Sequence, residues 1–380
     1  MPFIKRSAEE HMTDQQDPYK EIRPFNDAEV ADALTHILHD DEFISAVTRY
    51  QFPNLSRRLG WLLKPFVRIA LARKVGDVES IADFQALVGD YMKKMIARST
   101  TKLTCSGIDQ FDPEDSYLFI SNHRDIAMDP AFVNWVRYQY GMDTVRIAIG
   151  DNLLSKPYVS DIMRLNKSFI VNRSATGREM MKALTQLSSY IDHSIQSGHS
   201  IWLAQREGRA KDGNDTTDPA ILKMLYMAHR KVRSFSEQAK RLNIIPVSIS
   251  YEYDPCDSLK ANELYAKETE GNYEKSKFED IESIVRGITG HKGHVHVAFG
   301  DPIEGDFETP EALAEEIDRQ IISNYYLHPS NLLAAGEDCE VTEEARQGLE
   351  ERLNNTAKGA EDILRKMYAN PVFNQRKIQE

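Results

Sequence analysis

Between residues 101 and 305, short apolar runs alternate with longer amphipathic stretches, and this alternation restricts the fold more than any other feature. The runs 115–120, 144–149, 168–171, 200–204, 244–251 and 294–299 have the length and the β-branched or aromatic content of buried strands. Residues 102–107 read as an edge strand closed by Gly107. The stretches between them, 130–140, 156–164, 176–197 and 219–240, carry helical periodicity. Strands joined by helices cross over to parallel neighbours, so the predicted fold class is α/β, a mostly parallel sheet with flanking helices.

At one strand-to-helix junction the residue types turn chemical. The run ending at Ile120 is followed by Ser121, Asn122, His123, Arg124 and Asp125, then Asp129-Pro130 at the start of the next helix. In open α/β sheets, ligand chemistry collects outside the carboxyl ends of the strands. A His held by a carboxylate takes a proton from a hydroxyl near neutral pH. Both Asp125 and Asp129 stand close enough in sequence to be that carboxylate.

Three other readings of this stretch fail on spacing. A protein-kinase loop containing His123-Arg124-Asp125 would need an Asn five residues beyond its Asp, where Pro130 stands. A serine hydrolase would need Gly-x-Ser-x-Gly, which the chain lacks. A metal centre would need clustered ligands. His291, His294 and His296 come nearest, but no carboxylate or Cys is spaced to complete that set.

Four blocks in order make the region 100–305 resemble the glycerolipid acyltransferase superfamily, which includes glycerol-3-phosphate and lysophosphatidate acyltransferases. Asn122-His123 matches the opening of that family's Asn-His-x-Ser-x-x-Asp block. The Asp falls one place late, at Asp129, which is preferred to Asp125 because it opens the next helix. Lys156-Pro157 with the run ending at Arg173 matches the second block. Arg206-Glu207-Gly208-Arg209, followed by Lys211, is similar to the third, and the strand bearing Pro246 to the fourth.

The resemblance implies transfer of a fatty acyl group from an acyl-CoA or acyl-carrier-protein thioester. The acceptor would be the hydroxyl of glycerol-3-phosphate or 1-acylglycerol-3-phosphate in phospholipid biosynthesis, with no metal or other cofactor. It implies His123 as general base, oriented by Asp129, and Arg173, Arg209 and Lys211 as cations for the acceptor phosphate. Arg suits phosphate because its planar fork binds two oxygens. Glu207 would orient an Arg or bind an acceptor hydroxyl, Gly208 would permit close backbone approach, and Asn122 and Pro246 would shape the site. Each residue also has a plainer reading. An Arg after a strand is commonly solvated, Asn122 can simply close the turn, and Pro246 can mark an edge strand or bulge. Two other functions stay open: an acyltransferase for a non-phosphate lyso-lipid, and a non-catalytic lipid-binding relative.

The flanks divide the chain into an N-terminal helical, membrane-contacting region (1–100), a catalytic domain (101–305) and an acidic helical C-terminal region (306–380). Residues 1–25 read as irregular. Residues 27–50 read as one helix capped by Asp27, and 78–100 as another. Residues 53–76 hold six basic residues and no acid, with Trp61, Leu62, Leu63, Phe66 and Ile69 among the apolar ones. Pro65 should break this segment into two short helices. Its composition fits either contact with an anionic bilayer surface or a core helix with solvated cations outside. The C-terminal helices, 311–326 and 343–368, read as a solvated appendage that packs on the domain or binds a partner.

A net charge of −12 argues against non-specific nucleic-acid binding. The scattered Cys105, Cys256 and Cys339 suggest free thiols in a reducing compartment. Met1 to Arg6 does not open a signal peptide, and no run of roughly 18 apolar residues suggests a spanning helix. The expected location is peripheral, at the cytoplasmic face of a membrane.

Overall fold

A computed structural model describes residues 17–154, 156–276, 279–337 and 341–380. The readings at Met1 to Arg6 and at Cys339 lie outside these residues, as does most of the irregular stretch expected over 1–25. Cys105 and Cys256 carry free thiols.

Seven strands form one sheet: β1 (Lys102–Ser106), β2 (Leu118–Ser121), β3 (Arg146–Gly150), β4 (Ser168–Val171), β5 (Ile201–Ala204), β6 (Ile244–Tyr251) and β7 (His294–Phe299). Their order is β1-β7-β6-β2-β5-β3-β4. β6, β2, β5, β3 and β4 run parallel, β7 runs antiparallel to β6, and β1 follows β7. The α/β reading therefore holds, with a mostly parallel sheet and β1 at an edge.

Among the described residues, four helices precede the sheet: α1 (Asp27–His39), α2 (Asp41–Gln51), α3 (Ser56–Val75) and α4 (Ile81–Ser99). Seven lie within it: α5 (Met128–Gln139), α6 (Pro157–Leu165), α7 (Gly177–Gln196), α8 (Pro219–Tyr226), α9 (Phe235–Arg241), α10 (Asp257–Glu270) and α11 (Glu279–Thr289). Four follow: α12 (Pro310–Ser323), α13 (Pro329–Ala334), α14 (Glu343–Asn354) and α15 (Glu361–Gln379).

Alternation along the strands sorts the core into two layers. Phe119, Trp202, Ile245, Val247 and Ile249 face α5 and the inner side of α4. Leu118, Ile120, Phe169, Ile201 and Leu203 face α7, α8 and α12. Burying each such side chain contributes roughly 1.5–3 kcal/mol.

Several boundaries differ from expectation. The single helix over 27–50 divides at Asp40, whose extended backbone and side chain, accepting from Phe43 N at 2.7 Å, start α2. Asn26 caps α1, while Asp27 accepts from Ile81 N at the start of α4. The break in 53–76 falls at Leu59, not Pro65. Pro65 stays inside α3 beside the exposed Trp61, where water can serve the carbonyl that proline leaves unpaired. The stretch 219–240 divides into α8 and α9, the latter started by a Ser234 capping box. The helix expected over 343–368 becomes α14 and α15.

The C-terminal region is not an appendage. Leu313, Ile317 and Ile321 of α12 are buried in the same core as the strands, and α15 packs with α10 and α13 around Leu364. The boundary at 306 therefore separates no independent domain, because the sheet's second face is incomplete without α12.

Pro246 is neither at an edge nor at a bulge. It lies in β6 between β2 and β7, in register with Ile120. Gly300 N donates to the Pro246 carbonyl at 2.8 Å. The Gly300 carbonyl, facing a residue with no N–H to offer, instead accepts from Gln110 Nε2 at 3.0 Å. A side chain thus repairs the ladder bond that proline removes.

Candidate active site

β2 ends at Ser121, and the next residue stitches the sheet together at its carboxyl edge. The Asn122 amide mimics a strand backbone. Its Oδ1 accepts from Ile249 N at 2.8 Å and its Nδ2 donates to the Ile249 carbonyl at 3.0 Å. Nδ2 also reaches Asp215 at 3.2 Å. Asn122 is thus a buried frame residue.

His123 follows on the turn. Its carbonyl accepts from Ala210 N at 2.8 Å, which joins the loop after β5 to the loop after β2. Its Nδ1 lies 2.8 Å from Asp129 Oδ2. The same oxygen accepts from Arg124 N at 2.7 Å and Asp125 N at 2.9 Å. The other oxygen, Oδ1, accepts from the Tyr251 hydroxyl at 2.6 Å. Asp129 is wholly buried, and these donors compensate its charge. An ionised carboxylate only accepts, so the proton of the His123 pair sits on Nδ1 and Nε2 carries the free lone pair. The His123 side chain keeps 14% exposure, with its ring edge-on to Trp202 at 5.8 Å. It is held firmly and is still reachable.

Of the two carboxylates left open by spacing, Asp129 is the one bonded to His123. Asp125 has a different task. Its Oδ1 accepts from Ala127 N and Met128 N, capping α5. Its Oδ2 packs on Gly287 of α11. Burial, with Asp129 nearby, pushes the Asp125 carboxyl up to about 6.

The sheet order places β5 between β2 and β3, so the loop 206–213 lies between His123 and the ends of β3 and β4. Glu207 Oε1 lies 3.5 Å from Arg173 Nη1, and both are exposed. Arg173 lies across Gly150, where a Cβ would come within 2.9 Å of its Nε. Gly208 takes φ +75° at the exposed tip, a conformation that suits glycine. Arg209 turns the other way, with Nη2 3.4 Å from Ser283 Oγ of α11.

Lys211 does not join these cations. It forms an ion pair with Glu263 of α10, which Lys267 also contacts at 2.7 Å. Burial lowers the Lys211 pKa while Glu263 opposes that shift. The ammonium is a clip between loop and helix. Pro246, set back inside the sheet, is likewise not brought to the site.

Three residues around the site escaped the sequence reading. Tyr251 continues the alternation of Ile245, Val247 and Ile249, but nothing local marks its hydroxyl as a partner of Asp129. Arg124 is buried, bonded to Asp215 at 2.6 Å and packed over the Tyr325 ring at 5.4 Å. Lys260 donates to the Arg124 carbonyl at 2.6 Å. His294 and His296 share the Thr104 hydroxyl and pack on Tyr326 with His328. Among the described residues, no group of three or more His, Cys, Asp or Glu side chains is arranged to hold a metal.

Residues 102–250, from β1 almost to the end of β6, match the family model described as Acyltransferase. That matched stretch is similar to an acyltransferase domain, and the His123–Asp129 pair lies inside it. It is 24% identical over 193 residues to dihydroxyacetone phosphate acyltransferase of Mus musculus. The same enzyme of Homo sapiens is 24% identical over 195 residues. Each match covers 50% of this chain and 26% of the relative, so the chain spans about a quarter of the length of these relatives. Among solved structures, the 1-acyl-sn-glycerophosphate (LPA) acyltransferase PlsC from Thermotoga maritima aligns with 13% identity and a TM-score of 0.39. That alignment covers 74% of this chain and 92% of the other.

Proposed function

We propose that the protein is a peripheral membrane O-acyltransferase. It moves a fatty acyl group from an acyl-CoA or acyl-carrier-protein thioester to the hydroxyl of glycerol-3-phosphate or 1-acylglycerol-3-phosphate. The observation that carries this reading is the 2.8 Å bond between His123 Nδ1 and a fully buried Asp129, which leaves Nε2 without a partner among the described residues. Nε2 takes the acceptor's hydroxyl proton as its oxygen attacks the thioester carbonyl. The tetrahedral intermediate collapses, the C–S bond breaks, and the imidazolium returns its proton to the departing thiolate. Asp129 stabilises the imidazolium between those steps, as the acid of a catalytic triad does. Proton transfer of this kind contributes about 10²–10⁴-fold. The reaction so written needs no metal or prosthetic group.

Arg173 and Arg209 are the cations available to the acceptor phosphate, with Glu207 orienting Arg173. Lys211, tied to Glu263, drops out of this set. The relatives' names add dihydroxyacetone phosphate as a third acceptor to test, another three-carbon phosphate with a primary hydroxyl.

The bilayer is the proposed site of action, on its cytoplasmic face. α3 turns Trp61 and Phe66 outward, 73% and 66% exposed, along with Leu62 and Ile69, and buries only Val67. A helix serving a core would do the reverse. Arg57, Arg58, Arg73 and Lys74 are exposed on the same helix, which suits an anionic lipid surface. Among the described residues, no helix is long and apolar enough to cross a membrane.

The test is turnover by purified protein of labelled acyl-CoA or acyl-carrier protein with each of the three phosphorylated acceptors and with a phosphate-free lyso-lipid. Acylation of a phosphorylated acceptor supports the reading. Acylation of the phosphate-free lipid alone, or vesicle binding without any turnover, replaces it.

A further inference from the structure

We propose that Tyr251 is a positioning residue for the His123–Asp129 pair. The two oxygens of Asp129 are loaded unequally. Oδ2 serves His123 and two backbone amides, whereas Oδ1 has the Tyr251 hydroxyl, at 2.6 Å, as its one hydrogen-bond donor among the described residues. Both residues are buried, Tyr251 at 4% exposure and Asp129 at none, so no bulk water stands ready to replace that bond.

Tyr251 owes its position to β6. It ends the strand on the face that carries Ile245, Val247 and Ile249. Its ring meets Phe132 of α5 edge-on at 5.8 Å. Strand and helix thereby fix the hydroxyl relative to Asp129, which stands in the first turn of α5. Burial beside Asp129 and Asp125 keeps the phenol protonated, so the hydroxyl donates and the carboxylate accepts.

Two consequences follow from the geometry. The bond stops the carboxylate from rotating, which keeps Oδ2 aimed at His123 Nδ1 and the imidazole in its productive tautomer. It also draws negative charge towards Oδ1 and away from the ring. Without it, more of that charge falls on the imidazolium, which then holds its proton more tightly and serves less well as a base at a given pH.

The inference rests on the acyltransferase reading above, and its test has one arm that needs no substrate. In the 380-residue chain, Tyr251→Phe keeps the ring against Phe132 and removes only the hydroxyl. We expect kcat to fall about tenfold with little change in the acceptor KM, and the acidic limb of kcat/KM to move to higher pH. In the Asp129→Asn background the same change should alter kcat less than about twofold, because the two residues act through one bond. The NMR titration of the His123 ring should shift its midpoint upward in Tyr251→Phe, whether or not any acceptor has been found. Phe132→Leu loosens the same packing but retains the hydroxyl, and should leave that midpoint in place. An unmoved His123 midpoint in Tyr251→Phe, or an equal shift in Phe132→Leu, overturns the inference. Absence of turnover in the wild type, with the midpoint shifted as expected, overturns the acyltransferase reading alone.

Discussion

The Asn370 side-chain amide donates a 2.6 Å hydrogen bond to the Asp212 carbonyl. It joins α15, near the carboxyl end of the sequence, to the loop that carries Arg209. Two further contacts act beside it. Asn374 Nδ2 reaches Asn214 Oδ1 at 3.0 Å. Gly213, at φ +81°, leaves no room for a Cβ, which would lie 2.2 Å from the Met367 carbonyl oxygen. The C-terminal helix is therefore a clamp on the loop of the candidate active site. Asn370→Ala should raise the KM for a phosphorylated acceptor several-fold with a smaller effect on kcat. Equal KM values in steady-state assays would mean that the loop holds its shape without α15.

Gly213→Ala tests the same clamp through stability. The substitution combines a clash with backbone carbonyl and a left-handed conformation, so it should cost about 1–3 kcal/mol. Chemical denaturation should show a lower midpoint at unchanged slope.

The loop's cations should separate by role. Arg173→Gln and Arg209→Gln should each raise the KM for a phosphorylated acceptor about tenfold or more, if each gives phosphate the charged hydrogen bond proposed for it. Lys211→Met should leave that KM almost unchanged and lower stability, because the buried Glu263 keeps Lys267 but loses one of its two cations. Kinetics and melting of the three variants side by side check the division.

Acid should weaken the fold through His328. The ring is fully buried against His294 and Tyr326, with Nε2 3.2 Å from Ser250 Oγ, and burial holds its pKa down at about 3. The unfolded chain binds this proton near the ordinary value of about 6.5 and the folded chain does not. The stability is thus complete above pH 6.5 and is lost as pH falls from there towards 3, on the order of 5 kcal/mol in all. Asp125 and Asp318, both raised to about 6, act with the opposite sign as pH falls from 6 towards 3.8. The His328 contribution is therefore read by difference. His328→Asn, which can still cap α13, should lose less stability between pH 7 and pH 5 than the wild type, measured by denaturant titration at each pH.

The apolar face of α3 gives a binding prediction. Trp61→Glu with Phe66→Glu should abolish flotation with anionic vesicles while leaving the melting temperature within a few degrees. Replacing Arg57, Arg58, Lys64 and Arg68 by Gln should weaken flotation. Arg68 also holds Leu38 O and Asp41, so its loss should lower stability as well.

The seven strands could be read from the sequence because their apolar runs are short and bounded by turn residues. α10 and α11 could not. They fill the stretch between β6 and β7, where α10 buries Asp257, Lys260 and Glu263, and α11 turns Ile281 and Val285 outward while burying Glu279 and Ser283. Such polar-inward faces defeat a search for apolar stripes. His123 was legible from its neighbours, and the preference for Asp129 over Asp125 from its place at the start of the next helix, where it meets the His123 ring. The misreading of Lys211 has the same origin as the oversight of Tyr251. Their partners, Glu263 and Asp129, are 52 and 122 residues away.

The central claim is that the His123 imidazole removes the acceptor's hydroxyl proton. Its most direct test is single-turnover acyl transfer from labelled thioester to a phosphorylated acceptor, comparing wild type with His123→Ala and with the folded state of both verified by melting. The account predicts a loss of at least about 10²-fold in the variant, with thioester binding retained. Equal rates of product formation in the two proteins would contradict it.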